Sequence, residues 1–204
     1  MINMTFVTDP MCSWCWGMAD EFKHAQQRLA GHVRFDLMLG GVNTHGSQPI
    51  GAYGRRFLMR LWEEVAQTTG QTFGFRLPPD YVHNSLPACL AIEVVREAVG
   101  TAPFHYLHAL QQQFFEFGQD ITNIELLAEL AEPFGISQPD LEEQMSDPGM
   151  IQRLRFQFDN ARSFGTSALP ALLIEKDGAT RLFGGGYMDA QTIVECLPDP
   201  PAAY

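Results

Sequence analysis

Apolar residues alternate at both ends of this 204-residue chain and recur at helical spacing throughout the long middle. Ile2, Met4 and Phe6 alternate with Asn3 and Thr5 until Asp9-Pro10 breaks the run, and Val33, Phe35, Leu37 and Leu39 alternate until Gly40-Gly41. Both stretches read as short strands. Between them Met18, Phe22, Ala25 and Leu29 mark one apolar face, which predicts a single helix from about Ser13 to Ala30, closed by Gly31. A helix joining two adjacent strands favours a parallel pair with a right-handed crossover. Near the other end, Ala171 to Glu175 is an apolar run, Asp177-Gly178 is a hairpin turn signal and Thr180 to Phe183 is the partner strand. Gly184 to Tyr187 reads as flexible packing, followed by a last helix from about Asp189 to Leu197.

The middle carries stripes such as Phe57, Leu58, Leu61, Trp62 and Val65, then Phe104, Leu107, Leu110, Phe114 and Phe117. Ala88 to Val99 is helix-like behind Pro87. Thr122 with Glu125 predicts a capping box for Ile124 to Phe134, Ser137 caps a short helix through Met145, and Asp147-Pro148 opens a helix running to Phe164. Five or six helices and no strand are expected here. If both ends share one sheet, the chain is an α/β protein with an all-helical insertion, residues 49–148, inside a unit made of residues 1–48 and 149–204.

Charge removes several functions. Thirteen basic against 24 acidic residues give a net charge of −11, and no basic run interrupts it. Such a surface repels phosphate backbones and anionic membranes, so nucleic acid is not an expected partner. No stretch approaches the roughly 18 apolar residues of a membrane helix. The N-terminus has neither the basic start nor the cleavage site of a signal peptide, so a cytoplasmic protein is expected. In that compartment a lasting structural disulfide is out of place, and a C-x-x-C is catalytic or metal-binding.

Cys12 and Cys15 enclose Ser13 and Trp14 at a helix start. One helical turn brings the two sulfurs together. Cys12 lies at the N-cap, where unpaired backbone N–H groups and the helix dipole favour a thiolate by about 0.3–1 kcal/mol. Cys15, a turn inside, is the more covered and suits a resolving role. No cation lies close in sequence: Asp9, Asp20 and Glu21 are acidic, and Lys23 and His24 are two or more turns away. Zinc would need about four ligands, and neither Cys89, Cys196 nor the lone pair His105 and His108 completes such a set, so no metal is expected. Cys89 and Cys196 read as small apolar residues or mildly reactive thiols. Asp9, Pro10 and Ser13 shape the turn into the helix, and Asp9 is expected to serve the helix start electrostatically rather than as a proton acceptor for Cys15. Of the two tryptophans, Trp14 is the one expected at the surface, as part of an apolar rim for substrate.

Gly165-Thr166-Ser167-Ala168-Leu169-Pro170 runs straight into the strand at Ala171. With D-P-M-C-S-W-C-W-G at Asp9 to Gly17, S-A-L-P-A at Ser167 to Ala171 and the helical insertion, the chain resembles the thioredoxin superfamily. It is most similar to the cytosolic DsbA-like branch that includes FrnE-type proteins and predicted protein-disulfide isomerases. The resemblance implies a thioredoxin-like fold with a cis proline, Pro170, facing a redox-active Cys12–Cys15 disulfide. It also implies that Leu169 offers backbone hydrogen bonds to an extended substrate. Two features depart from it. Ser13 and Trp14 stand where many relatives have a histidine between the cysteines, and Phe6 stands where several keep a buried acid.

The implied function is a thiol–disulfide oxidoreductase acting on protein or small-molecule thiols. It would need no cofactor beyond the cysteine pair, with glutathione as a candidate electron partner. A monomer or homodimer fits equally. Kappa-class glutathione transferases and hydroxychromene carboxylate isomerases share the insertion architecture but typically have Ser at the first cysteine, so Cys12 argues against them. A non-enzymatic chaperone using the helical platform is the third possibility.

Overall fold

The structure, a computed structural model, describes residues 2–165, 168–195 and 197. Thr166, Ser167, Cys196 and the tail after Leu197 therefore lie outside the described residues. The first turn of chain is β1 (Ile2–Thr8), α1 (Ser13–Gly17), α2 (Ala19–Arg28) and β2 (Val33–Leu39). Six α-helices follow: α3 (Ala52–Thr69), α4 (Leu86–Val99), α5 (Phe104–Phe115), α6 (Ile124–Ala131), α7 (Gln138–Met145) and α8 (Pro148–Ser163). A short 3-10 turn, Glu132–Phe134, extends α6. The hairpin β3 (Ala171–Lys176) and β4 (Ala179–Gly185) and the helix α9 (Ala190–Glu195) close the chain.

Both ends of the sequence do share one sheet. Its strand order is β2-β1-β3-β4, with β1 parallel to β2 and antiparallel to β3. The period-two pattern divides its residues between two faces. Met4, Phe6 and Leu172 pack with Phe22 of α2 and Ile193 of α9. Val7, Ala171 and Leu173 pack with Ala161 of α8 on the opposite side. Phe6 and Phe22 stack with centroids 4.2 Å apart, so the position at which several thioredoxin-like proteins keep an acid is here filled by an aromatic pair. The third and largest apolar cluster lies among α3 to α8 and takes in Trp62, Phe114 and Phe115, reaching the sheet at Leu37 and Leu39. Arg96 of α4 fastens this body to β2, bonding Asp36 at 3.0 Å and the Leu37 carbonyl at 2.6 Å.

Four local expectations change. The helix expected from Ser13 to Ala30 is broken at Met18, whose N–H still reaches the Trp14 carbonyl at 3.1 Å. Trp16 enters the insertion core and Met18 the sheet-side core, and the bend lets the two bury in different bodies. The cap of α6 is Asn123, whose side chain accepts from Leu126 N at 2.9 Å, while the Thr122 hydroxyl turns back to Asp120. Helices α7 and α8 have the predicted Ser137 and Asp147 caps. Gly184 and Gly185 are not loose packing but the end of β4. The register passes from Leu172 opposite Gly184 to Leu173 opposite Leu182, which leaves Phe183 as a bulge. The fourth change concerns Asp9 and belongs to the site.

Candidate active site

β1 delivers the chain to Asp9, and Asp9 builds the turn that carries the cysteines. Its Oδ1 accepts from Met11 N at 2.8 Å, and its carbonyl accepts from Cys12 N at 3.2 Å. Its Oδ2 accepts from Val42 N at 2.8 Å, Ser85 Oγ at 2.7 Å and Cys89 Sγ at 3.6 Å. Gln111 Nε2 adds a contact to the carbonyl at 3.5 Å. Asp9 is completely buried. The expectation that Asp9 only serves the helix start electrostatically is thus corrected: this residue is an internal joint between β1, the segment after β2, α4 and α5. Burial pushes its carboxyl up from the usual range, and the bonds from Ser85, Met11, Val42 and Cys89 oppose that rise. Cys89, read from sequence as a small apolar residue or mildly reactive thiol, is one of its donors. Burial, and then the Asp9 charge, push the Cys89 thiol well up, so it stays a neutral S–H.

Cys12 is the N-cap of α1, and its sulfur accepts from Cys15 N at 3.3 Å. Cys12, Cys15 and Cys89 are free thiols in this structure. Cys12 is half-buried, whereas Cys15 is fully enclosed. Burial is the main reason the Cys15 thiol is pushed well up, and the adjacent Cys12 sulfur adds to it. The Thr8 hydroxyl and the Asp9 backbone act in the opposite sense on Cys15. Thr8 Oγ1 is itself buried and makes no hydrogen bond of good geometry among the described residues. It is an unspent polar group beside the inner sulfur.

The outer sulfur faces an open cleft of about 440 Å³. Met11 to Trp14, Gly40 to Val42, Phe57, Leu58 and Leu61 of α3, His83, Ala161, Arg162 and Leu169 line it. The motif and the residue preceding Pro170 therefore share one cavity, although the chain separates them by most of its length. The Leu169–Pro170 peptide bond is cis. Gly40 permits the approach of this loop, since a Cβ there would lie 2.6 Å from Leu169 Cδ1. No hydrogen bond engages the Leu169 backbone among the described residues. Trp14 is half-buried at the cleft wall, and Trp16 is 1% exposed with its indole N–H on the Thr72 carbonyl at 2.9 Å. Pro10 and Ser13 are buried in the turn, with Ser13 on the cleft wall.

Sequence reasoning missed Ser85, Cys89 and His83. All three come from the insertion, and no periodicity or local motif announces a partner so far along the chain. Among the described residues no group of three or more His, Cys, Asp or Glu side chains gathers to hold a metal ion.

Comparison with known proteins identifies the fold and family. A family model described as a DSBA-like thioredoxin domain matches residues 3–192. The crystal structure of a candidate protein disulfide isomerase from Nitrosomonas europaea superposes with a TM-score of 0.85 at 27% identity, covering 96% of this chain and 95% of that one. The cytosolic disulfide reductase DsbM of Pseudomonas aeruginosa, also solved with GSH, has the same fold. Its TM-score is 0.74 at 22% identity, over 89% of each chain. The ClpXP adapter protein SpxH of Halalkalibacterium halodurans is 22% identical over 178 residues, which are 85% of this chain and 58% of that protein. The chain thus spans little more than half the length of that relative.

Proposed function

The chain belongs to the DSBA-like thioredoxin family, and on that footing we propose that it exchanges disulfides with protein or small-molecule thiols through Cys12 and Cys15. The observation that carries this reading is the unequal setting of the two sulfurs, one on an open cleft at a helix N-cap and the other sealed behind it. In the reduced protein, Cys12 as thiolate attacks a substrate disulfide. One S–S bond breaks, a mixed disulfide forms, and the substrate's second sulfur leaves with the electron pair. Cys15 then gives up its proton and attacks Cys12, releasing the first substrate sulfur as a thiolate and closing the Cys12–Cys15 bond. The oxidised protein runs the same steps in reverse. The Leu169 backbone, unbonded among the described residues, supports strand-like pairing with an extended substrate, and Trp14 supports an apolar contact beside it. Asp9, Pro10 and Ser13 hold the turn.

The same reading includes the unit 1–48 plus 149–204 with insertion 49–148, a cytoplasmic setting and glutathione as the electron partner. No helix among the described residues is long and apolar enough to cross a membrane. The test is insulin-reduction turnover with glutathione. Loss of turnover in Cys12→Ser, with a trapped mixed disulfide in Cys15→Ser, is the expected outcome. Glutathione conjugation or isomerase activity that survives Cys12→Ser would favour a kappa-class type of enzyme instead. Aggregation suppression without either activity would favour a chaperone.

A further inference from the structure

The cleft at Cys12 contains a histidine that no motif places there. His83 precedes α4, in the insertion, yet it shares the cavity with Cys12 and Leu169. The side chain of Asn43 donates to its carbonyl at 2.5 Å, and the side chain of the next residue, Asn84, donates to Gly46 O at 3.0 Å, so the chain is held just after His83. Its Nδ1 lies 2.5 Å from the Tyr81 hydroxyl. Tyr81 is fully buried, and its ring rests 5.3 Å from that of Phe114. Burial first, and the charges of Asp9 and Asp120 after it, keep that hydroxyl protonated. Its other neighbour is Met11 Sδ at 3.4 Å, a thioether and a weaker acceptor than an imidazole nitrogen. The hydroxyl therefore donates to Nδ1. Burial also lowers the His83 ring's affinity for a second proton, so it is neutral at pH 7 and its one proton sits on Nε2. Nε2 has no partner among the described residues. Among the described residues no carboxylate lines the cleft, and the one charged side chain there, Arg162, is paired with Asp159 at 2.9 Å.

We propose that the insertion supplies a catalytic residue: His83 Nε2–H donates a hydrogen bond to the sulfur displaced when Cys12 attacks a substrate disulfide. The proposal rests on Cys12 being the attacking thiol. In that step Cys12–S⁻ and R–S–S–R′ become Cys12–S–S–R and R′–S⁻. Cys12 is oxidised, the R′ sulfur is reduced and carries the charge away, and no proton need move, because His83 acts through its hydrogen bond alone. This geometry replaces the histidine that the Cys12–Cys15 segment lacks with one from a distant part of the chain.

A donor to a leaving sulfur has a signature that a packing residue does not: its value depends on how much help that sulfur needs. The experiment mixes the reduced full chain with two disulfides in single turnover, glutathione disulfide, whose thiolate is basic, and 5,5′-dithiobis(2-nitrobenzoate), whose thiolate leaves unaided. His83→Phe should slow the first reaction about ten-fold or more, the scale of one lost hydrogen bond to a charged group, and slow the second much less. His83→Gln, which retains an amide donor, should recover much of the rate with glutathione disulfide. Tyr81→Phe frees the ring to change tautomer and should show the same selectivity more weakly, which provides a second variant if His83→Phe folds poorly. Equal slowing of both disulfides, or no slowing in either variant, overturns the proposal. Full exchange by Cys12→Ser would instead overturn the reading of Cys12, and that result is scored separately.

Discussion

The two sulfurs of a single helical turn occupy different media. Cys12 looks onto an open cleft lined by glycine backbone, α3, His83 and Leu169. Cys15 looks onto protein: the end of β1, the unengaged Thr8 hydroxyl and the Asp9 backbone. Asp9 bears on both settings: its carbonyl accepts from Cys12 N at 3.2 Å, and its backbone lies against the Cys15 sulfur. Spacing alone makes the pair possible, but the surroundings divide its labour. The outer thiol can be met by a partner, and the inner one is approached from Cys12 alone.

That contrast is broken most severely by removing Asp9. In Asp9→Ala the Val42 N–H, the Met11 N–H and the Ser85 hydroxyl lose a buried acceptor, which costs about 1–3 kcal/mol for an unsatisfied buried donor. Urea denaturation should show a total loss of roughly 3 kcal/mol or more, together with alkylation of Cys15 in the native protein. A loss below about 1 kcal/mol would mean that water replaces the carboxylate without cost. Thr8→Val sharpens the contrast instead. It removes a buried hydroxyl that has no good partner, so stability should stay within about 1 kcal/mol of wild type. Closure of the mixed disulfide by Cys15 should slow several-fold, as seen by acid quench, because the thiolate loses a donor. Unchanged closure would reduce Thr8 to a filler.

The smallest effect is in pH. Burial raises the Asp9 carboxyl in the folded chain above its value in the unfolded one. Its contribution to stability is therefore fully present below the unfolded value of about 3.9 and is lost as pH rises through the folded value. The unfolding free energy of wild type minus that of Asp9→Asn should fall across that interval and then level off. A difference that rises with pH would show that the four donors outweigh burial.

Much of the scaffold can be read from the chain because its causes are local. Alternation marks β1 and β2, Asp177-Gly178 marks the hairpin, with both residues at positive φ, and Ser137 and Asp147 cap their helices. Reading fails where the cause is distant or where two local options compete. Thr122 and Asn123 are adjacent cap candidates, and Asp120 takes the threonine. The break at Met18 follows from two cores that exist only after folding. Cys12 and Cys15 are visible as a motif, and Pro170 as part of a resemblance. Ser85, Cys89 and His83 are invisible, because each acquires its meaning by meeting Asp9 or the cleft in space.

Asp9 also limits how this protein could be shortened. The helical segment looks detachable in outline, a cassette spliced between two strands, and trimming it would be the obvious route to a minimal redox module. Yet two of the donors that hold the acid at the end of β1, Ser85 and Cys89, reside in that cassette. Excision would leave the carboxyl at the base of the cysteine turn without two of its donors, so a truncated version would need new partners for position 9 or a smaller residue there.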